Sequence, residues 1–177
     1  GANNTAVGAW SLRYNTTGGS NTAIGYGALD ANTTASYNVG VGVDALGKNT
    51  SGTANCAVGG FALEDNTTGD YNTGLGRNAL TNNSTANDNT AVGYAALAAN
   101  TTGTRNTAVG KNALSANTTA DDNVAIGNDA MEDNTTGHSN VAIGQNALHN
   151  NNSNYNVAIG EGVMTTATTS QFNVAVG

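Results

Sequence analysis

Apolar and polar residues alternate along a five-residue segment that recurs eleven times in the chain and reads Asn-x-Ala-x-Gly, with Gly40 and Gly74 replacing the alanine in two copies. A clear copy is residues 106–110, which read Asn-Thr-Ala-Val-Gly. Successive copies begin seventeen residues apart, except for one step of sixteen residues between Asn140 and Asn156. Such alternation is typical of a β-strand. A fixed repeat of seventeen residues is typical of a solenoid in which each repeat forms one coil. The pattern therefore predicts short parallel strands stacked one coil above the next.

Two positions of the repeat, numbered from its asparagine, carry large apolar side chains. Position 4 is always Val, Ile or Leu, and position 9 is Leu or Met from Leu12 onward. We expect both rows to face the core, because solenoids bury such ladders between stacked coils. The predicted core residues are Val7, Ile24, Val41, Val58, Leu75, Val92, Val109, Ile126, Ile143 and Ile159 at position 4, with Leu29, Leu46, Leu63, Leu80, Leu97, Leu114 and Leu148 at position 9.

The remaining positions predict how the coil closes. Glycine at position 5 ends the first strand, and we expect a second short strand to carry the Ala-Leu pair at positions 8 and 9. Asn-Thr-Thr at positions 12 to 14 then predicts a second turn. The predicted fold is all-β: a parallel β-roll (β-solenoid) of 17-residue two-strand coils, about ten in number, forming a single array over residues 1–177. At about 4.8 Å per coil, the array is roughly 50 Å long.

Position 3 holds only Ala or Gly and therefore predicts an interface. Two large apolar side chains per coil stabilise too little to offset the ordering of seventeen residues, so we expect further burial by self-association. Small side chains let another surface approach closely, and a homotrimer about the long axis is the simplest arrangement. The interface candidates are Ala23, Ala57, Ala91, Ala108, Ala125 and Ala142.

Asparagine is fixed at position 1 and recurs at position 12. Side-chain amides stacked along a solenoid can hydrogen-bond to one another, so we expect both rows to form ladders. Asn-Thr-Thr also makes an N-glycosylation sequon in almost every coil. A turn or interior ladder is the alternative to glycosylation, and we favour the ladder.

Charge limits the partners. The net charge is −7 with only five basic residues, which disfavours binding to nucleic acid or to an anionic membrane surface. Asn- and Gly-rich chains are often disordered, but disorder does not require aliphatic residues at one fixed phase. The single cysteine, Cys56, takes a position held elsewhere by Thr or Val and is interpreted as a small core residue.

The segments at residues 123–127 and 156–160 both read Asn-Val-Ala-Ile-Gly. This motif resembles the head repeats of trimeric autotransporter adhesins, and the resemblance implies a trimeric left-handed parallel β-roll. The longer unit, NTAVG…AL…NTTG, resembles the repeats of phage tail-fibre and bacterial surface-fibre proteins. The resemblance covers residues 1–177, although the adhesin repeat is a few residues shorter than this one. It implies a fibre, without specifying a receptor.

Catalytic and ligand-binding patterns are not apparent in the sequence. His138 and His149 occupy different repeat positions without Cys or carboxylate at ligand spacing, so we expect neither a metal site nor a cofactor. No Ser or Thr is accompanied by a general base and a residue to orient that base in a recognisable pattern, so we expect that the chain is not an enzyme. Regular threonine rows leave an ice-binding solenoid as an alternative. Because Val interrupts the row at position 2, we expect that row to face inward and ice binding to be absent.

We therefore expect a structural segment of an extracellular fibre, at a cell surface or on a virion. It would be a rigid stalk or head, with copies of itself as the main partner and a cell-surface receptor or glycan as a further one. The alternatives are a self-stacking extracellular filament subunit and the ice binder. The chain starts and ends within a repeat, which leads us to expect an excerpt of a longer array or end-to-end stacking.

Overall fold

The computed structural model describes residues 1–166 and 169–177 and contains one parallel sheet. Eleven strands pair in chain order, each with the next, and every strand has three residues. The strands are β1 (Thr5–Val7), β2 (Thr22–Ile24), β3 (Val39–Val41), β4 (Cys56–Val58), β5 (Thr73–Leu75), β6 (Thr90–Val92), β7 (Thr107–Val109), β8 (Val124–Ile126), β9 (Val141–Ile143), β10 (Val157–Ile159) and β11 (Val174–Val176).

The register of the sheet places equivalent repeat positions beside one another. In β6 and β7, for example, Ala91 pairs with Ala108 and Val92 pairs with Val109. The prediction of an all-β parallel solenoid with a seventeen-residue coil and about ten coils is therefore confirmed. The described residues include no helix, and so none that could cross a membrane.

The side of the coil opposite the sheet is formed by turns, so the prediction of a second strand is wrong. Leu114 at position 9 has a φ of 55°, which is left-handed and incompatible with a strand. Its N–H donates to the carbonyl of Ala130 in the next coil at 2.9 Å, and its own carbonyl accepts from the N–H of Asn117 at 3.2 Å. Hydrogen bonds between coils therefore connect consecutive turns. They pair the backbone N–H and C=O groups of the turns without extended structure.

The leucine row of the predicted core is confirmed. These side chains are fully buried and point from the turns toward the sheet, and Met131 takes the same place in its coil. The buried leucines are Leu29, Leu46, Leu63, Leu80, Leu97, Leu114 and Leu148.

The prediction that position 4 faces the core is wrong. No position-4 side chain among the described residues is buried, and Ile24 and Val58 are each 40% exposed. Positions 2 and 4 do share one face of each strand, as alternation requires, but that face is directed outward. The residues concerned are Val7, Ile24, Val41, Val58, Leu75, Val92, Val109, Ile126, Ile143 and Ile159.

Position 3 faces the core, so the prediction of an intersubunit interface there is also wrong. The coil is so thin that the strand and the leucine row leave room for little more than a methyl group. A Cβ placed on Gly40 would lie 3.3 Å from Cγ of Leu29 and 2.9 Å from the carbonyl oxygen of Ala45. The alanines that are buried in this row, and not available to another subunit, are Ala23, Ala57, Ala91, Ala108, Ala125 and Ala142.

Both predicted asparagine ladders are present. At position 12, the amide of Asn100 donates to Oδ1 of Asn83 at 2.9 Å and to the carbonyl of Gly103 at 2.9 Å. At position 1, Oδ1 of Asn89 accepts from the backbone N–H of Asn106 at 2.9 Å. Every described buried side-chain nitrogen or oxygen has a hydrogen-bond partner. The polar half of the core therefore imposes no desolvation penalty from unpaired groups.

The glycine at position 5 is required by the next coil. Gly110 has a φ of +138°, and a Cβ on it would lie 2.3 Å from the carbonyl oxygen of Gly127. Any side chain would therefore be strained and would also collide with backbone.

The sixteen-residue coil shortens one corner and leaves the strands in register. Ser153 takes the place of position 15, since its carbonyl accepts the amide of Asn140 at 2.8 Å, as Gly137 accepts that of Asn123 at 2.9 Å. Position 14 is the residue omitted, and β9 and β10 pair as the other strands do. The missing residue therefore changes only the turn.

The left-handed leucine row gives a first testable expectation. Replacing Leu114 by Ile should destabilise the protein by about 2 kcal/mol, because a β-branched side chain is strongly disfavoured at positive φ. Replacing it by Met should cost less than about 1.5 kcal/mol, since Met131 is buried at the same position with a φ of 52°. Urea unfolding of both variants, followed by circular dichroism, measures the difference. Equal loss of stability in the two variants would contradict the assigned backbone conformation.

Candidate functional site on the outer face of the sheet

The sheet presents two parallel rows of side chains to the outside, which together we call the outer sheet face. It consists of positions 2 and 4 of β1 to β11. Position 2 contributes Thr5, Thr22, Val39, Cys56, Thr73, Thr90, Thr107, Val124, Val141, Val157 and Val174, and position 4 contributes the aliphatic residues from Val7 to Val176. No charged residue belongs to either row.

The outer sheet face is partly covered by its own neighbours and otherwise exposed. Ile126, Ile143 and Ile159 are 38%, 36% and 38% exposed, while the position-2 side chains of β2 to β10 are half-buried. In-phase pairing makes each row continuous, so the apolar atoms form one patch and not scattered exposures. Single exposed aliphatic residues are common on soluble proteins, but a continuous patch is characteristic of an interaction surface.

Cys56 lies within this face, in the position-2 row between Val39 and Thr73. It is a free thiol, half-buried, and burial raises its pKa. A raised pKa keeps the thiol protonated and slow to react at neutral pH. The interpretation of Cys56 as a core residue is wrong, because the position-2 row faces outward and the buried residue of β4 is Ala57.

Charged side chains lie outside the outer sheet face and pair between successive coils. Arg13 binds Asp30 at 2.7 Å, Arg105 binds Asp122 at 2.7 Å, and Lys48 binds Asp65. The hydrogen bond from Arg105 lowers the pKa of Asp122. These exposed pairs add little stability. They do, however, use three of the five basic residues, so these cations do not form a basic patch.

Two pairs of aromatic side chains contact each other between successive coils. The rings of Trp10 and Tyr26 are 4.7 Å apart and tilted, and those of Tyr155 and Phe172 are stacked 4.9 Å apart with nearly parallel planes. The guanidinium of Arg13 lies 4.7 Å from the Trp10 ring centre. The stacking covers ring faces that would otherwise meet water.

The sequon asparagines at position 12 are internal from Asn32 onward. From Asn32 to Asn151 the position-12 residues are fully buried, and their Nδ2 atoms donate within the chain. Nδ2 is the atom to which a glycan would be attached, and in the folded chain it is not accessible. Ladder formation is therefore the arrangement observed.

The histidines are far from forming a ligand set. Nδ1 of His149 lies 3.8 Å from Glu132, and His138 contacts the ring of Tyr155. Across residues 1–166 and 169–177, no group of three or more His, Cys, Asp or Glu side chains could hold a metal ion, and no pocket is found.

Comparison with known proteins adds no relative: no family model, no curated protein and no solved structure matches this chain.

Proposed function

We propose that this chain is a structural repeat segment of an extracellular fibre whose copies associate through the outer sheet face, with a homotrimer as the assembly. The observation that supports the proposal best is the continuous uncharged stripe of aliphatic side chains along the whole sheet. The surface predicted for this role from sequence was position 3. The proposed surface is now the opposite face of the same strands.

The stripe is large enough to matter. Eleven strands at about 4.8 Å spacing and three residues at about 3.3 Å give a patch of about 500 Å² per copy. That area is near the upper end of what soluble monomers expose, about 300–600 Å². Two such patches bury about 1,000 Å² together, which is the lower limit for a specific interface. Self-association is therefore physically reasonable.

A second copy of the chain is the partner that fits this stripe best. Its side chains repeat with the rise of the coil, so only another solenoid with the same rise can match every coil in turn. The two rows differ, with branched aliphatic residues at position 4 and Thr or Val at position 2. Where row 2 of one copy meets row 4 of the next and the reverse contact is made to a different copy, the contact is heterologous, and such contacts close into a ring when the rotation between copies closes. Three copies around a common axis form the smallest ring of this kind.

The mechanical role follows from the backbone. Hydrogen bonds join each coil to the next along the sheet and also along the turns throughout the described residues. Such an array has no hinge in its described part and resembles a short rod of roughly 50 Å. A rigid spacer that holds a binding tip away from a cell or virion needs these properties. The resemblance of the repeats to fibre proteins supports the extracellular location, and a receptor or glycan would be bound by the fibre as a whole.

Sedimentation equilibrium of the purified chain tests the proposal. We expect a mass three times the 17.5 kDa of one chain. Replacing both Ile126 and Ile143 by Lys should give monomers, because two charges per copy would be buried without partners. Replacing Thr119 and Thr136 by Lys is the control, since both are exposed on the corner away from the sheet.

Three outcomes of that experiment are distinguishable. A trimer that only the isoleucine variant disrupts supports the proposal. A folded wild-type monomer at all concentrations contradicts it. Masses that rise without limit would indicate the self-stacking filament instead.

Ice binding remains a second candidate because the position-2 threonines face outward, contrary to the sequence-based expectation. Only some coils carry Thr there, and the row is interrupted by Val39, Cys56 and the valines of β8 to β11. The other row, at position 13, uses its hydroxyls internally: Oγ1 of Thr101 donates to the carbonyl of Thr118 at 3.0 Å.

We therefore expect no thermal hysteresis and no shaping of ice crystals by the purified chain. Nanolitre osmometry measures both. Hysteresis that is lost when Thr73, Thr90 and Thr107 are replaced by Tyr would favour the ice binder over the fibre.

A further inference from the structure

The outer sheet face changes in character along the solenoid. In β5, β6 and β7 position 2 is Thr, whereas in β8, β9 and β10 it is Val and position 4 is Ile. We call this second group the anchor segment. Its residues are Val124, Ile126, Val141, Ile143, Val157 and Ile159.

Parallel in-phase pairing makes the anchor segment one uninterrupted patch. Val124 pairs with Val141, and Val141 pairs with Val157, with the isoleucines aligned in the same way. The sixteen-residue coil lies inside this segment, but its shortened corner leaves the pairing unchanged. Three consecutive coils therefore present only aliphatic side chains outward from the strands.

The threonine coils differ because each carries a hydroxyl that would enter the interface. The hydroxyls of Thr73, Thr90 and Thr107 make no hydrogen bond within the described residues, since position 2 faces away from the chain. Covering them with an apolar surface would cost free energy unless the facing chain supplied a partner. Contact at these coils is accordingly weaker than contact of similar area in the anchor segment.

We infer that the anchor segment, the outward side chains of β8, β9 and β10, carries most of the affinity and sets the register of the self-association proposed above. This inference rests on the proposed function. The parallel, in-register association that a homotrimer around a common axis requires places each anchor segment against another.

The opposite orientation is the competing arrangement. In an antiparallel pair centred on β6, strands β8, β9 and β10 would face β4, β3 and β2. Val157 would then meet the hydroxyl-bearing coil of Thr22, and Val124 would meet Cys56. The two orientations therefore differ in which positions of neighbouring copies a disulfide can link.

Matched triple variants test where the affinity lies. Replacing Val124, Val141 and Val157 by Thr converts the anchor segment to the composition of the other coils, with side chains of nearly the same shape. Replacing Val39, Val41 and Val58 by Thr makes the same chemical change in β3 and β4. We expect the dissociation constant, measured by sedimentation equilibrium, to rise about tenfold more in the anchor variant than in the control. Equal increases would overturn the inference, because the affinity would then be spread evenly.

Disulfide formation under mild oxidation tests the register. Contact of row 2 with row 4 in register places Cys56 of one copy beside position 58 of the next. Wild-type chain mixed before assembly with a chain carrying Cys56→Thr and Val58→Cys should therefore form disulfides between the two chains. A chain carrying Cys56→Thr and Val124→Cys should form none with the wild type. Disulfides in that second mixture would establish the antiparallel arrangement and contradict the inference. Monomeric wild-type protein would instead contradict the proposed function itself, and the two failures are therefore distinct.

Discussion

Replacing Ala108 by Leu is expected to destabilise the folded chain by about 3 kcal/mol or more, the upper end of what overpacking costs. Ala108 is fully buried in β7 and belongs to the same core cluster as the leucine row. At the equivalent Gly40, even a Cβ would lie 3.3 Å from Leu29. Three further carbon atoms can therefore be accommodated only if the strand and the turns separate. The loss should appear as a lower midpoint of urea unfolding in the isolated chain.

The matched control is the neighbouring Val109→Leu. It introduces the same leucine side chain at position 4, which faces outward and naturally holds Leu75 in another coil. We expect its unfolding midpoint to stay close to that of the wild type. If Val109→Leu were the damaging variant and Ala108→Leu the harmless one, the assignment of inner and outer faces would be reversed.

Replacing Asn100 by Leu should have a comparable effect for a different reason. The Asn100 side chain makes three buried hydrogen bonds of 2.9 Å, donating to Asn83 and Gly103 and accepting from Asn117. Its removal leaves the Oδ1 of Asn83 without its donor inside the core. Orphaned buried groups cost about 1–3 kcal/mol each, so the expected loss is about 3 kcal/mol or more.

Asn82→Leu is the control for this second change. Asn82 is exposed in the preceding coil, so the same substitution there alters no buried amide ladder. Thermal unfolding of both variants measures the difference. A small effect at Asn100 would show that the ladder contributes less to stability than its geometry suggests.

The sequence predicted the coil and its ladders because these depend on period alone. The seventeen-residue step located every strand, and the fixed asparagines indicated hydrogen-bonded rows. Leucine at position 9 was also correctly assigned to the core, since a long apolar side chain facing a strand across a thin coil has few alternatives.

The direction of the strand faces could not be read from the same pattern. Alternation shows that Thr107 and Val109 share a face and that Ala108 lies on the other. It does not show which face is inside. Hydrophobicity favours Val inside, but the available width decides, and the leucine row leaves space only for Ala. The space that the leucine row leaves, and not the polarity of the residues, therefore decides which face of the strand is inside.

The missing second strand has a similar cause. Leucine is uncommon at positive φ, so nothing in the residue type of Leu114 suggests a left-handed turn. Because both of its rows were assigned to the core, the outer sheet face was not predicted as a site. A row that accepts Thr, Val and Cys56 interchangeably indicates a half-covered position, and that signal favoured the outside.

The shortened corner at Ser153 implies that position 14 is where this solenoid tolerates changes in length. The strands on either side keep their pairing although one residue is absent. In the other coils from Thr17 to Thr136 the residue at this corner is an exposed Thr or Ser. Peptide insertions there would be displayed in a row at multiples of about 4.8 Å, at an exposed corner outside the proposed interface. The array can thus be regarded as a molecular ruler on which epitopes could be placed at chosen intervals.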